Sequence, residues 1–80
     1  MTKRLHKFWY FVESPENIEI PVEIQAEILF SEDKVPLAGN ILNWKPGKGY
    51  KDYSDYLDEY FSDDENKKNA VNYLIDIELF

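Results

Sequence analysis

His6 is the only histidine in the sequence, and acid–base catalysis of hydrolysis would depend on it. There is no cysteine to act as a nucleophile. The hydroxyl groups that could pair with the imidazole belong to Thr2, Ser14, Ser31, Ser54 and Ser62. None of them lies in the sequence context of a nucleophile elbow. We therefore expect no catalytic residues and no enzymatic activity.

Metal and phosphate sites are equally poorly supported. A zinc site needs three or four Cys, His or carboxylate ligands, and the chain offers one His and no Cys. The spacing of an EF-hand is absent, so the acidic run at residues 63–65 indicates a solvated helix start. The segment Lys45–Gly49 holds two Gly and two Lys but lacks the P-loop pattern, which predicts a basic turn. We expect neither a metal nor a cofactor.

Carboxylates dominate the composition, and they are segregated along the chain. The 80 residues include 9 Lys plus Arg and 16 Asp plus Glu, giving a net charge of −7. Residues 13–33 and residues 52–65 carry seven acids each and no Lys or Arg, whereas residues 1–12 and 34–51 carry cations and no acid. Such blocks favour a positively charged partner and are repelled by phosphate, although acids also simply keep small proteins soluble. We expect a basic protein as partner and no direct binding of nucleic acid.

The first half of the chain has the two-residue period of strands. The predicted strands are residues 5–12, 18–30 and 35–44, the third interrupted at residues 38–40. The second is the clearest, since every even position from Ile18 to Phe30 is apolar. The first is apolar on both faces, which favours a central position in the sheet. Pro21 cannot donate to a ladder and predicts an edge position or a bulge in the second strand.

The second half changes to a helical period. Aromatic and aliphatic residues recur every three or four positions over residues 50–61, which predicts an amphipathic helix with an acidic outer face. A capping box that begins at Ser62 predicts a second short helix to about Val71. Alternation over residues 73–80 then predicts a closing strand. The expected fold is one α+β domain over residues 1–80, with a three- to four-stranded antiparallel sheet, one or two helices packed on one face, and the order β-β-β-α-β.

Two acidic ridges follow from these elements, and we predict that they bind the partner. Alternate positions of the second strand project Glu19, Glu23 and Glu27 from one face. The outer face of the helix and its continuation carry Asp52, Asp55, Asp58, Glu59, Asp63, Asp64 and Glu65. Tyr56 is added because tyrosine is enriched at interfaces and this position lies at the flank of the helix.

The chain resembles two groups of small acidic inhibitors. One is the immunity proteins of bacteria that neutralise nuclease toxins, and the other is the phage-encoded DNA-mimic inhibitors of anti-restriction and anti-CRISPR type. The shared features are size, charge, the aromatic opening strand Phe8-Trp9-Tyr10-Phe11-Val12 and the acidic block Asp52–Glu65. The resemblance implies a non-catalytic protein that occupies the nucleic-acid groove of a basic nuclease or effector.

A different class of function remains open beside this one. The long second strand and the apolar chain ends also suit a small structural or assembly subunit that acts through homo- or hetero-oligomer contacts. No apolar run reaches the length of a membrane span, and the basic N-terminus lacks a signal-peptide pattern, so we expect no membrane contact and a cytoplasmic protein. The sequence leaves the oligomeric state undetermined.

Overall fold

Three antiparallel strands form the first half of the chain in the computed structural model, which describes residues 1–79. They are β1 (Thr2–Glu13), β2 (Glu19–Phe30) and β3 (Pro36–Pro46). The sheet order is β1-β2-β3, so each strand pairs with its neighbour in the chain. The α+β class and the antiparallel sheet are confirmed. β1 and β3 are longer than predicted, and β2 is not.

The two hairpin turns are built alike. Ser14 and Ser31 each accept a hydrogen bond at the backbone carbonyl from the residue three positions on, Asn17 and Lys34, at 2.9 Å. Both of those residues adopt a left-handed backbone with φ of 63°. Each serine hydroxyl also accepts a backbone N–H from the residue four positions on, at 3.1 Å. These local bonds satisfy the turn backbone and so fix where each strand ends.

β2 is the central strand, and its even positions form the buried row. Ile20, Val22, Ile24, Ala26 and Ile28 are fully buried, as the alternation predicts. The expectation that Pro21 marks an edge strand is wrong. The carbonyl of Pro21 accepts the N–H of Gly47 at 2.7 Å, so the proline nitrogen also faces the β3 side, where the ladder has already ended at the Val22–Pro46 pair. The missing N–H therefore removes no ladder bond.

β3 runs without a break through the predicted interruption, but its register against β2 shifts twice. Gln25 pairs with Asn43 while Ala26 pairs with Ile41, and Leu29 pairs with Ala38 while Phe30 pairs with Pro36. The residues left over at these shifts are Leu42 and Leu37, and both are about half exposed. Such bulges bend an edge strand and make its backbone a poorer template for further pairing.

The second half of the chain is helical. A 3₁₀ turn (Lys51–Tyr53) leads into α1 (Ser54–Tyr60), which is followed by α2 (Asp64–Tyr73). The side chain of Asp63 accepts the N–H of Glu65 at 2.9 Å and so caps α2. The second helix is confirmed, but its cap is Asp63 rather than Ser62, whose hydroxyl donates to the carbonyl of Glu59 instead.

The predicted closing strand is wrong, so the order β-β-β-α-β does not hold. Residues Leu74–Glu78 continue α2 as a π-helical turn, in which the N–H of Leu79 donates to the carbonyl of Leu74 at 3.1 Å. Phe80, which the prediction included, lies outside the described residues. Ala70, Val71 and Leu74 are buried at helical spacing, and the sequence after Gly49 contains no Gly or Pro to end a helix. A helix that is capped at Asp63 therefore continues through the alternating residues.

Sheet and helices share one apolar core. The helical half contributes Leu57, Phe61, Ala70, Val71 and Leu74 to the cluster that contains the buried row of β2. Gly39 permits close packing of α2, because a Cβ there would lie 2.6 Å from Cγ1 of Val71 and 2.7 Å from Cδ1 of Ile28. The helices pack chiefly against β3 and cover β1 less.

β1 is an edge strand, and the prediction of a central position is wrong. Its inward residues Phe8 and Val12 are buried. Its outward residues Leu5, Trp9 and Phe11 are 60%, 50% and 58% exposed. The apolar character of both faces therefore does not come from burial on both sides. It leaves a row of large, exposed apolar side chains along this edge of the sheet.

Candidate protein-binding surfaces

The acidic residues of the first helix lie on its outer side. Leu57 and Phe61 are buried, and the tyrosines at positions 53, 56 and 60 are half-buried against the core. The acids Asp52, Asp55, Asp58 and Glu59 are all exposed. This division is the amphipathic pattern that the sequence predicts, and it presents four carboxylates to solvent on one short segment.

Asp58 has a structural bond in addition to its charge. Its Oδ1 atom accepts a hydrogen bond from Nε1 of Trp44 at 2.9 Å. The indole ring packs 5.2 Å from the ring of Phe61, between centroids. Nζ of Lys67 lies 6.0 Å from the centre of the same indole ring, which is the outer limit of a cation–π contact. Trp44 thus connects β3 with both helices and fixes the carboxylate of Asp58.

Tyr56 ties the acidic helix to the end of the first strand. Its hydroxyl donates to the backbone carbonyl of Glu13 at 2.9 Å, and its ring lies 6.3 Å from that of Tyr60. Glu13 is paired with Glu19 across β1 and β2. The carboxylates of α1 and of the first hairpin therefore lie at the same end of the molecule. The structure thus places the hairpin end that contains Glu19 beside α1, although Glu19 belongs to the strand face opposite the buried row of β2.

The acids at the start of α2 have a structural role in the helix. Asp63 supplies the cap of the helix, and Asp64 and Glu65 follow in the first turn, where the helix dipole favours negative charge. All three side chains are exposed. Their sequence position is therefore explained by helix formation, and any contribution to binding comes in addition to that role.

The sheet ridge differs from the helical acids because lysines of neighbouring strands lie beside Glu23 and Glu27. Glu23 lies opposite both Trp9 and Lys45, and Glu27 lies opposite both Leu5 and Asn40. Nζ of Lys3 is 3.8 Å from Oε1 of Glu27, which is the one ion pair among the side chains that the structure describes. The basic turn also contributes Lys48 and Lys51 to a shallow cleft shared with Glu23, Trp9 and Lys45. Residues 13–33 contain no Lys or Arg, but in the folded chain lysines from other segments lie close to their acids.

The four serine hydroxyls all take part in local hydrogen bonds with the backbone. The hydroxyls of Ser14 and Ser31 accept turn N–H groups, and those of Ser54 and Ser62 donate to helical carbonyls. The Nε2 atom of His6 is buried and has no hydrogen-bond partner within the part of the chain that the structure describes.

Burial raises the pKa of the Tyr60 hydroxyl, and Tyr10, Tyr56 and Asp63 raise it further.

Two further findings limit the kinds of site that the described residues could form. Among the described side chains, no group of three or more His, Asp or Glu residues is arranged to hold a metal ion. Neither α1 nor α2 is long and apolar enough to cross a membrane, and the same is true of the short helical turns in the described chain.

Sequence reasoning missed two features of the surface. The lysines that flank Glu23 and Glu27 come from other strands, and only the register between strands reveals them. The exposed row Leu5, Trp9 and Phe11 was hidden because its residue types are those of a buried strand. The sequence did contain a signal for the exposed row. Lys3 and Lys7 are odd positions of the strand, as are the residues of the row, and lysines are costly to bury.

Comparison with known proteins gives no relative: neither a protein-family model, nor a curated protein, nor a solved structure matches this chain significantly.

Proposed function

We propose that this protein is a non-catalytic inhibitor that binds a basic nucleic-acid-processing protein through its acidic helical end. The observation that supports this function is the group of exposed carboxylates on one side of α1 and of the 3₁₀ turn before it, namely Asp52, Asp55, Asp58 and Glu59. Within residues 1–79, none of these four is in an ion pair. An inhibitor of this kind would occupy the groove in which the partner holds phosphates, either as an immunity protein or as a phage-encoded DNA mimic.

The geometry favours the helical end over the sheet ridge as the binding surface. Unpaired carboxylates on a rigid helix keep their full attraction for a cationic partner, whereas those of the sheet ridge are partly offset by nearby lysines. Asp63, Asp64 and Glu65 extend the helical surface along the chain, and Glu13 and Glu19 border it through the bond of Tyr56. We therefore assign first contact to α1 and a supporting role to Glu19, with Glu23 and Glu27 contributing less.

The experiment is affinity capture from nuclease-treated extract of the source cells, followed by an assay of nucleic-acid binding by the captured protein. The test variant is Asp55→Lys with Glu59→Lys, which avoids Asp58 and Asp63 because their side chains have structural bonds. The matched control is Glu32→Lys with Asp33→Lys, two exposed acids of the second hairpin turn. Both double variants change the net charge by the same amount.

The proposal requires a basic partner that wild type and control capture and that the helix variant captures poorly. At low salt we expect the helix variant to associate about 10- to 100-fold more slowly, because steering by complementary charge is lost. Added inhibitor should displace nucleic acid from the partner. Equal capture by both double variants, or binding that does not weaken with salt, would overturn the assignment to α1.

The second candidate function is an assembly subunit that acts through oligomer contacts. The specific observation in its favour is the row of exposed apolar residues at the sheet edge, Leu5, Trp9 and Phe11. Large apolar side chains that are adjacent on an uncovered surface often mark an interface. Mass measurement in solution tests this candidate independently of the charge variants.

A further inference from the structure

β1 is a twelve-residue strand at the edge of the sheet, and its backbone pairs with another strand on one side only. It contains no proline, and its register against β2 is regular from Thr2 to Glu13. The other edge, β3, begins and ends with proline and has two register shifts. Proteins protect sheet edges with prolines, bulges and lysines. β3 has the first two protections, while in β1 the stretch Phe8–Val12 has none.

From this edge we infer that two copies of the chain associate through antiparallel pairing of their β1 strands, which makes one continuous six-stranded sheet. The inference goes beyond the proposed inhibitory function and does not depend on it. It commits to a second copy as the occupant because the charge pattern of β1 is complementary to itself when the strand is reversed.

The self-complementarity comes from opposite charges at the two ends of the strand. The start of β1 carries Lys3, Arg4 and Lys7 and no acid. Its far end carries Glu13, which lies opposite Glu19 in the sheet. The backbone carbonyl of Glu13 accepts a hydrogen bond from the hydroxyl of Tyr56, which belongs to the acidic helix α1. Antiparallel pairing sets the basic start of each copy beside the acidic end of the other. The arrangement occurs twice in a symmetric dimer and offsets the repulsion between two molecules of charge −7.

The register of this pairing follows from the side chains. Opposed residues must lie on the same face of the sheet, so the twofold axis passes through a residue and not between two residues. An axis at Lys7 would oppose two lysines directly, which is destabilising. An axis at Trp9 would pair only nine residues and leave Lys3 and Arg4 beyond the seam. An axis at Phe8 pairs residues 3–13 of each copy, eleven in all.

The axis at Phe8 also gives favourable pairs on the outer face. Lys3 of each copy lies opposite Glu13 of the second copy, and Leu5 lies opposite Phe11. Lys7 lies opposite Trp9, where its ammonium can rest on the indole ring. The three large apolar side chains that β1 exposes are thereby all partnered across the seam, while the acids of α1 stay free. Because a single strand seam is small, we expect a reversible dimer of modest affinity.

The first test measures mass by sedimentation equilibrium from about 5 to 500 µM, a range that covers dissociation constants typical of weak dimers. We expect wild type to shift from the 9.5 kDa monomer towards twice that mass, and to shift less at high salt. Trp9→Lys should keep the protein monomeric, because it opposes Lys7 of the second copy. Leu37→Lys is the matched control on β3, since Leu37 and Trp9 are each 50% exposed.

The second test locates the seam with cysteines, for which the wild type provides no background. Opposed residues have Cα atoms about 5 Å apart, within the range of a disulfide. Under mild oxidation, a mixture of Lys3→Cys protein with Glu13→Cys protein should give mixed covalent dimers. Neither variant alone should cross-link, because in this register two copies of either site are about 33 Å apart along the strand. The pair Leu5→Cys with Glu13→Cys reports the register centred on Trp9.

Concentration-dependent mass that Trp9→Lys abolishes and Leu37→Lys leaves intact, together with the mixed Lys3–Glu13 cross-link, supports the proposal. A monomer across the whole concentration range overturns it, as does loss of the dimer in Leu37→Lys alone. Preferential cross-linking of the Leu5→Cys and Glu13→Cys pair overturns the register. If Trp9→Lys does not fold by circular dichroism, the cysteine pairs decide the question alone, since positions 3 and 13 are solvent-exposed.

Discussion

The indole nitrogen of Trp44 donates to the carboxylate of Asp58 at 2.9 Å, a bond between the third strand and the first helix. The two residues are fourteen positions apart, and the ring of Trp44 also packs against Phe61. The acidic surface of α1 is therefore attached to the sheet by one of its own acids. Asp58 contributes to both the fold and the charge of the proposed binding surface.

Replacing Trp44 by phenylalanine should remove this bond while retaining an aromatic ring. We expect the free energy of unfolding to fall by about 1 kcal/mol, because the acceptor is charged but partly solvated. Urea denaturation measures the change. In a double-mutant cycle with Asp58→Ala the two effects should not add, whereas Asp55→Ala should add independently with Trp44→Phe. Simple additivity in the Asp58 cycle would mean that the bond contributes nothing to stability.

Replacing Asp63 by alanine should weaken the start of α2. Loss of an N-cap costs about 1 kcal/mol, and the amide hydrogen of Glu65, which Asp63 accepts, should exchange faster with solvent. Asp63→Asn keeps the acceptor and should retain most of the stability. Ser62→Ala should leave exchange at Glu65 unchanged. Faster exchange at Glu65 in the Ser62 variant would instead support the capping box that the sequence suggests.

Replacing Gly39 by alanine should separate α2 from β3. The added Cβ would meet Cγ1 of Val71 and Cδ1 of Ile28 at under 3 Å, and overpacking of this kind costs about 1–3 kcal/mol. Thermal unfolding of Gly39→Ala, Val71→Ala and the double variant measures the coupling. Because Val71→Ala makes room for the new methyl group, the double variant should lose less stability than the sum of the single variants. A strictly additive loss would contradict the close approach.

Stability should decline in strongly alkaline solution through Tyr10 and Tyr60. Burial raises the pKa of both hydroxyls, with Tyr73 adding to the effect at Tyr10, so the folded state holds these protons more tightly than the unfolded chain. Their contribution is therefore complete below the unfolded pKa of about 10 and is lost as pH rises through the higher folded values. Urea midpoints between pH 8 and pH 11 should fall less steeply in Tyr10→Phe with Tyr60→Phe. Equal slopes in variant and wild type would exclude this cause.

The sequence predicted the elements whose periodicity agrees with their surroundings. The even positions of β2 are buried on one side only, so their two-residue period is plain, and the helix over residues 54–60 has its inward residues at three- and four-residue spacing. The hairpin turn at Ser14 was predicted by side chains that bond their own backbone, and the bonds are present. In these cases local preference and tertiary packing act in the same direction.

Among the predictions of structure that failed, the closing strand and the central position of β1 failed because local pattern and tertiary context disagree. Residues 73–79 alternate like a strand, yet they follow a capped helix with no residue to stop it, and Leu74 reaches the core from helical geometry. β1 has the composition of a buried strand but lies at an edge. The spatial relation of Glu23 and Glu27 to lysines depended on strand register, which the sequence does not state. The unpaired acids of α1, by contrast, followed from the helical period alone.

The β1-β2-β3 order, with each strand joined to the next by five residues, also bears on how the chain folds. No connection crosses from one edge of the sheet to the other, so pairing always begins between segments that are already adjacent. Loop closure therefore costs little entropy at each step, and chains with such local connectivity fold fast for their size. Because the turns at Ser14 and Ser31 have the same internal bonds, either hairpin can nucleate first. Substitution of one serine should then redirect the order of assembly without preventing it.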